Sequence, residues 1–472
     1  MRRHDVPEQH VGLELELGKR AVDDRRSCLG RAGARNLPLR REWQAADAST
    51  AIAGRLADEQ VAGIRAPVQI GDEALAPQLG IGVLAERVAD PRLGQSLDEI
   101  PHCWSRATRR ASSTKMPYVL NVWTTTDGGQ EPLEVANVVA DFIDAAERSL
   151  DFAHYDFHLS PEPAAVVSAA VRNAVARGVA VRFLYNLEHR NPIPVPPPPE
   201  PDGILIESLG VPVRPIAGVP DLMHHKFVVR DRASVWTGSM NWTDDSWSQQ
   251  ENVVAVAHSH ELAFRFTEDF EQLWRTGAVE KSGFIDTRPV PVGTHQVRPW
   301  FTPGHGEGLS ARIGKAIAKT KRRVRIASPV ITAGPVLAAL AQVISEGHVD
   351  VAGCVDRPQI GGVIYQWGEN GNIAWKLPLL ERVLAAPFSA KPSTPWEPTG
   401  SLHDFMHAKL TVADDTVFLG SFNLSRSGEL NAENVLEVTD PELAERMAHF
   451  VDEVRALYPR FIPTQSSTAA SS

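Results

Sequence analysis

Two stretches decide how this chain reads. The first is Met223-His-His-Lys-Phe-Val-Val-Arg-Asp231, followed by Thr237-Gly-Ser-Met-Asn241 and Glu251-Asn252; the second is Met406-His-Ala-Lys-Leu-Thr-Val-Ala-Asp414, followed by Leu419-Gly-Ser-Phe-Asn423 and Glu433-Asn434. Each is His-x-Lys-x4-Asp, then Gly-Ser-x-Asn, then a Glu-Asn pair beginning ten residues after that Asn. The copies differ by one residue between Asp and Gly. One match could arise by chance; two with the same order and spacing point to a duplicated unit. Residues two apart in a strand share a face, so His224 projects with Lys226 and His407 with Lys409. A Gly-Ser turn after a second strand exposes backbone amides to an anion, and the Asn adds a side-chain donor.

Placed face to face, the two units surround a phosphate with Lys226, Lys409, Asn241 and Asn423. The imidazoles of His224 and His407 then lie on opposite sides of phosphorus, as in-line displacement requires. One ring attacks as a neutral nucleophile and the other, protonated, serves the leaving oxygen. A glutamate paired with each ring, Glu251 or Glu433, would hold its tautomer and stabilise its cation.

Outward from these motifs the pattern is strand and helix in alternation. Helical spacing covers Glu134–Leu150, Pro161–Gly178 and His260–Trp274 in the first half, with strands expected at Asp151–Phe157 and Val179–Tyr185. A Pro-rich loop, Pro192 to Pro201, is followed by a short helix at Ile204–Gly210 and a strand at Val211–Ile216. The second half repeats the order: helix Leu309–Lys319, strand Val324–Val330, helix Ala333–Gly347, strand Val349–Val355, and a final helix Pro441–Tyr458. A long irregular insertion is expected from Gln359 to Leu402. The fold class that follows is α/β, with two tandem pseudo-symmetric lobes. Each lobe is a mixed sheet flanked by helices, and the active site lies at their interface. Boundaries fall at 116–280 for lobe one, 281–300 for a linker and 301–462 for lobe two, with a disordered tail at 463–472.

These paired motifs resemble those of the phospholipase D superfamily, over roughly Met116–Phe461. The resemblance implies one active site shared by both lobes, working without metal or cofactor through a phosphohistidine. By position, His224 is the nucleophile and His407 the general acid, later the base, although the pseudo-symmetry permits the reverse. Lys226, Lys409, Asn241 and Asn423 hold the phosphate with Ser239 and Ser421 nearby, while Glu251 and Glu433 orient the histidines. Asp231 and Asp414 belong to the motif but, in the family, lie away from phosphorus and support structure.

The first 115 residues contain Trp43 and Trp104 as their only aromatics, against 32 in the whole chain, so this segment is expected to be a weakly ordered extension. Met116 is an alternative start. The segment carries 18 Lys+Arg against 16 Asp+Glu, which leaves the two-lobed remainder at −12. That charge disfavours a nonspecific nuclease, which needs a basic surface to displace counterions. No run approaches the roughly 20 apolar residues of a spanning helix, so no integral membrane segment is expected. Cys28, Cys103 and Cys354 fit neither a zinc pattern nor a disulfide framework. With no apolar leader, a cytoplasmic location is expected.

Several residues remain outside the motif. His225 points to the opposite strand face, as a packing or surface residue. His154 and Tyr155 end an inner strand and suit either the site or the core, and His403, close before the second motif, is a candidate for the pocket lining. Trp236, Trp242 and Trp247 suit either a lipid-facing rim or the core. The basic run Lys315–Arg325 ends a helix, where cations are favoured anyway, and Gly304-His-Gly-Glu-Gly reads as a loop. The expected substrate is a phospholipid, cleaved at its headgroup (EC 3.1.4.-, 3.1.4.4 above all) or used for phosphatidyl transfer, with peripheral membrane contact. The alternative is DNA or RNA cleavage by the same chemistry, and a binding module without activity ranks below both. Two motifs in one chain remove the need for a dimer, so a monomer is expected.

Overall fold

The structure is a computed structural model that describes residues 119–187, 202–218, 221–369, 371, 373–394 and 403–462. The expected extension 1–115, the start at Met116, the Pro192–Pro201 loop and the tail 463–472 lie outside the described residues.

The first half runs β1 (Leu120–Thr125), α1 (Pro132–Asp144), β2 (Ser149–His154), β3 (Phe157–His158), α2 (Pro161–Ala176), β4 (Ala180–Leu187), α3 (Gly203–Ser208), β5 (Val213–Ala217), β6 (Lys226–Arg230), β7 (Ser234–Gly238), β8 (Trp242–Thr243), α4 (Asp244–Ser248), β9 (Gln250–His258) and α5 (His260–Thr276). The second runs β10 (Val290–Val292), β11 (His295–Thr302), α6 (Gly306–Ala318), β12 (Arg323–Ala327), α7 (Gly334–Glu346), β13 (Asp350–Asp356), α8 (Arg357–Glu369), α9 (Leu377–Ala385), β14 (Phe388–Lys391), β15 (Phe405–Met406), β16 (Leu410–Ala413), β17 (Thr416–Gly420), α10 (Arg426–Leu430), β18 (Glu433–Thr439) and α11 (Pro441–Leu457).

The duplication read from the motifs extends to the whole topology. One sheet is ordered β1-β9-β7-β6-β2-β4-β5 and the other β10-β11-β18-β17-β16-β12-β13-β14. Setting aside the edge strand β10, the two orders match strand for strand. The senses match too: β2-β4-β5 and β12-β13-β14 are parallel, while β2-β6 and β12-β16 are antiparallel.

Each sheet buries both faces. Outside lobe one lie α1 and α2, whose Val135, Val139, Ile143, Val167 and Val171 pack on Phe152 and Phe183. Lobe two is covered likewise by α6, α7, α8 and α9. The inner faces share a single apolar cluster in which Phe266 and Phe270 of α5 and Met447 and Val451 of α11 lie among residues of both sheets. Burial of this common layer from water favours joining the lobes.

The stretch 281–300, read as a linker, carries β10 and most of β11. Its alternating Val290, Val292 and Val297 are buried in the shared core, and Pro291 and the positive-φ turn at Gly293 obscure that alternation in the sequence. The expected irregular insertion, 359–402, also contains regular structure. Ile360, Val363 and Trp367 on α8, and Leu380, Val383 and Leu384 on α9, form buried stripes at helical spacing before β14. Gly306, within the expected loop, opens α6.

Gly420 shows why the motif requires glycine ahead of Ser. A Cβ there would stand 2.1 Å from the Asn434 carbonyl oxygen, and one at Gly238 2.2 Å from that of Val253. Only a bare backbone lets the turn lie against the next strand.

Candidate active site

The site is assembled where each lobe reaches into the other. Met223 bridges Ala432 in parallel, with the His224 N–H donating to the Ala432 carbonyl at 2.9 Å. In the mirror position, Phe405 and Met406 pair in parallel with Gln250 and Glu251. The residue before each motif histidine is therefore stitched to the opposite lobe. It is held from its own lobe as well, since Asn186 Oδ1 accepts from Met223 N–H (3.0 Å) and Asp356 Oδ2 from Met406 N–H (3.3 Å). Neither Asn186 nor Asp356 stands out in the sequence; only the superposable registers of β4 and β13 mark them as equivalents.

Each imidazole is held by a side chain of the other lobe. His224 Nδ1 lies 2.8 Å from Glu433 Oε1, and His407 Nδ1 lies 3.0 Å from Asn252 Oδ1. Lys226 Nζ donates to the His224 carbonyl (2.7 Å) and Lys409 Nζ to the His407 carbonyl (2.8 Å). Both histidines and both lysines are buried. Burial, then the charges of Lys226 and Lys409, push the His224 ring well below its ordinary range; burial, then Lys409 and Lys226, do the same to His407. Both shifts favour the neutral form of the ring. Lys226 and Lys409 each act on both rings, so the two motifs share one small volume.

The remaining expected site residues divide. Asn241 and Asn423 border this volume, and their buried Oδ1 atoms find no partner among the described residues. Ser239 and Ser421, expected beside a phosphate, are fully buried and turned inward. Ser239 Oγ donates to Asn252 Oδ1 (2.8 Å), and Ser421 Oγ accepts from Asn434 N–H (3.0 Å). Glu251 is corrected as well: its carboxylate bonds Lys391 Nζ (3.1 and 3.3 Å) and the Tyr458 hydroxyl, while His407 takes Asn252. A buried cation competes for the carboxylate more strongly than a neutral ring does.

Asp231 and Asp414 stand at the far ends of their strands, roughly 17 Å from the motif lysines at about 3.3 Å per residue. Asp231 accepts backbone N–H bonds from Glu147 (3.0 Å), Arg148 (2.6 Å) and Ser149 (2.9 Å), and Asp414 from Lys321 (2.8 Å), Arg322 (3.0 Å) and Arg323 (3.1 Å). Each clamps the entry to an inner strand. Asp231→Ala is expected to lower unfolding free energy by about 2–3 kcal/mol, read by urea titration, while activity per folded molecule stays close to wild type.

Outside the motif, Tyr155 packs its ring 4.6 Å from that of His224 and 4.7 Å from Lys226 Nζ. Its neighbour His154 belongs to the core, with its ring 4.1 Å from that of Trp242. Trp236, Trp242 and Trp247 are all buried core residues, not a lipid-facing rim. His225 is buried, with Nε2 2.8 Å from Asp269. His403 pairs with Asp245 at 2.8 Å and borders the site through Phe405, whose ring lies 5.4 Å from that of His407. Burial alone would lower the His403 imidazole, but Asp245 raises it overall. In the basic run, Arg322, Arg323 and Arg325 pair with Asp415, Glu445 and Asp350, while Lys315, Lys319 and Lys321 are exposed.

A two-lobed α/β scaffold with paired histidines and lysines at the lobe junction defines the phospholipase D class. The family described as the PLD-like domain of cardiolipin synthase matches residues 139–274 and 313–454. The chain belongs to that family, within the phospholipase D superfamily. It is 30% identical over 130 residues to mitochondrial cardiolipin hydrolase of Homo sapiens, covering 28% of this chain and 47% of that protein. It thus spans less than half the length of that relative. Among solved structures, phosphatidylserine synthase of Haemophilus influenzae matches with TM-score 0.49 and 13% identity, covering 72% of this chain and 88% of that one. Nuc of Salmonella typhimurium matches with TM-score 0.26 and 22% identity, covering 33% and 94%. No helix among the described residues is long and apolar enough to cross a membrane.

Proposed function

We propose that this chain is a phospholipase D-type phosphodiesterase that cleaves a phospholipid at the headgroup ester, or passes the phosphatidyl group to another alcohol, through a phosphohistidine. The observation that carries the reading is the exchange of supports across the junction, Glu433 to His224 and Asn252 to His407, which aims two rings from different lobes at one volume. The family's description and the cardiolipin hydrolase relative support a lipid substrate over nucleic acid, as does the −12 charge of the two-lobed region.

The diester's anionic oxygens sit between Lys226 and Lys409 and accept from the Nδ2 groups of Asn241 and Asn423. Their negative charge offsets the two ammonium groups and raises His407, allowing it to carry a proton. His224 Nε2 attacks phosphorus as the bond to the headgroup oxygen breaks, and His407 gives that oxygen its proton. Glu433 balances the positive charge left on the phosphorylated ring. Water or an alcohol then gives a proton to His407 and attacks phosphorus, breaking the P–N bond and freeing His224.

The test is a panel of phosphatidylcholine, phosphatidylethanolamine and cardiolipin vesicles beside plasmid and single-stranded DNA and RNA, all in EDTA. Headgroup or phosphatidate release is expected. Cleavage of nucleic acid with no lipid product would replace the lipid reading with the nuclease one.

A further inference from the structure

The two halves of the site are not equivalent, and three positions break their symmetry. Lys391 pairs with Asp356 on β13 where Ile216 pairs with Asn186 on β4. Ala408 follows His407 where His225 follows His224, and Leu419 precedes the second Gly-Ser where Thr237 precedes the first. All six residues are buried.

Their effects converge on the Glu-Asn pairs. In one half, Asn434 is fully engaged: Nδ2 lies 3.1 Å from His225 Nδ1 and Oδ1 accepts from Thr237 Oγ1 at 2.6 Å. Glu433 beside it is left to hold His224. In the other half, Ala408 has no ring nitrogen and Leu419 no hydroxyl, so Asn252 lacks both counterpart partners. Lys391, fully buried, draws Glu251 away together with Asp127 (3.1 Å) and the Gln249 carbonyl (2.9 Å). Asn252 then becomes the group behind His407.

We infer that Asn252, rather than Glu251, is the positioning residue for His407, and that Lys391, Glu251 and Tyr458 form a separate clamp between the lobes. The Asn252 amide can face only one way. Its Nδ2 sits 3.3 Å from the Ser246 carbonyl, which only accepts, so Oδ1 must face the ring. Ser239 Oγ, donating to the same Oδ1, reinforces that choice. The neutral His407 ring therefore carries its proton on Nδ1, with no fixed negative charge behind it; the Ser239 backbone also hydrogen-bonds the ring.

This inference rests on the proposed chemistry for its consequence. His224, backed by a carboxylate, tolerates the positive charge of a phosphorylated ring. His407, backed by an amide, holds a proton weakly, gives it readily to a leaving oxygen and returns neutral as a base. The charged or titratable groups facing it are Lys409 and His403 from its own lobe and Lys226 and His224 from the other. Glu251 is held by Lys391.

The experiment uses the full chain labelled with 15N-histidine, without substrate, followed by two-bond 1H–15N correlation across pH. His407 is assigned by its loss in His407→Asn. The expected wild-type signal is a neutral ring protonated at Nδ1. Asn252→Asp should raise the pH at which His407 titrates, Asn252→Ala should release it into a mixture of tautomers, and Glu251→Gln should leave it in place. On the diester the panel identifies, Asn252→Ala should lower kcat roughly 100-fold with KM little changed. Asn252→Asp should move the alkaline limb of kcat to higher pH, which a purely structural role would not do. A wild-type ring protonated at Nε2, an unchanged titration in Asn252→Asp, or a titration that follows Glu251→Gln overturns the inference. The ring measurement needs no turnover, so a chain inactive on every diester that still passes it refutes the proposed function alone.

Discussion

His224→Asn is expected to lower phosphodiester turnover by about 10⁴-fold or more, because it removes the attacking nitrogen and with it the covalent route. Asn is preferred to Ala here for a structural reason. Glu433 is fully buried and 2.8 Å from His224 Nδ1; truncation to Ala would take that ring away from a buried carboxylate, at a stability cost of about 3–5 kcal/mol. The Asn amide can still donate toward Glu433, so the loss read in steady-state kinetics reflects chemistry and not unfolding, which matching urea midpoints would verify. Retention of more than a tenth of wild-type kcat would remove His224 from the role of nucleophile.

The second large effect separates the two histidines. His407→Asn removes the proton donor of the first step and the base of the second. With a p-nitrophenyl phosphodiester the leaving group needs no proton, so the first step survives while hydrolysis of the intermediate stalls. A burst of about one p-nitrophenolate per enzyme is expected, followed by turnover reduced roughly 10³-fold, with an acid-labile adduct mapped to His224. The same adduct on His407 in the His224→Asn variant, with none in His407→Asn, would reverse the assigned roles. No adduct in either, with turnover intact, would exclude a phosphohistidine.

Lys391 indicates where sequence reading runs out. As a residue of β14 it looks like an ordinary surface cation in an irregular insertion, yet it is fully buried and reaches from lobe two to Glu251 of lobe one. No periodicity in 357–394 reports that contact, because it depends on how two sheets stack. The same holds for Asn186 and Asp356, which secure the residues ahead of the histidines only once the registers of β4 and β13 are formed. Asn252 was visible as half of a repeated Glu-Asn pair, but which member faces the imidazole depends on what Lys391, Ala408 and Leu419 leave available. The strands in 281–300 were hidden by local turn chemistry around Pro291 and Gly293.

From the sequence alone came the duplication, the α/β class, and the histidines and lysines proposed for the site. These rest on short-range rules: period-two strand geometry and a repeated spacing are properties of neighbouring residues. Only the tertiary structure decided which lobe supports which ring, that one imidazole is backed by a carboxylate and the other by an amide, and that the tryptophans are core. Those outcomes depend on competition among buried polar groups more than a hundred residues apart, where a single cation or a missing ring nitrogen redirects the hydrogen bond.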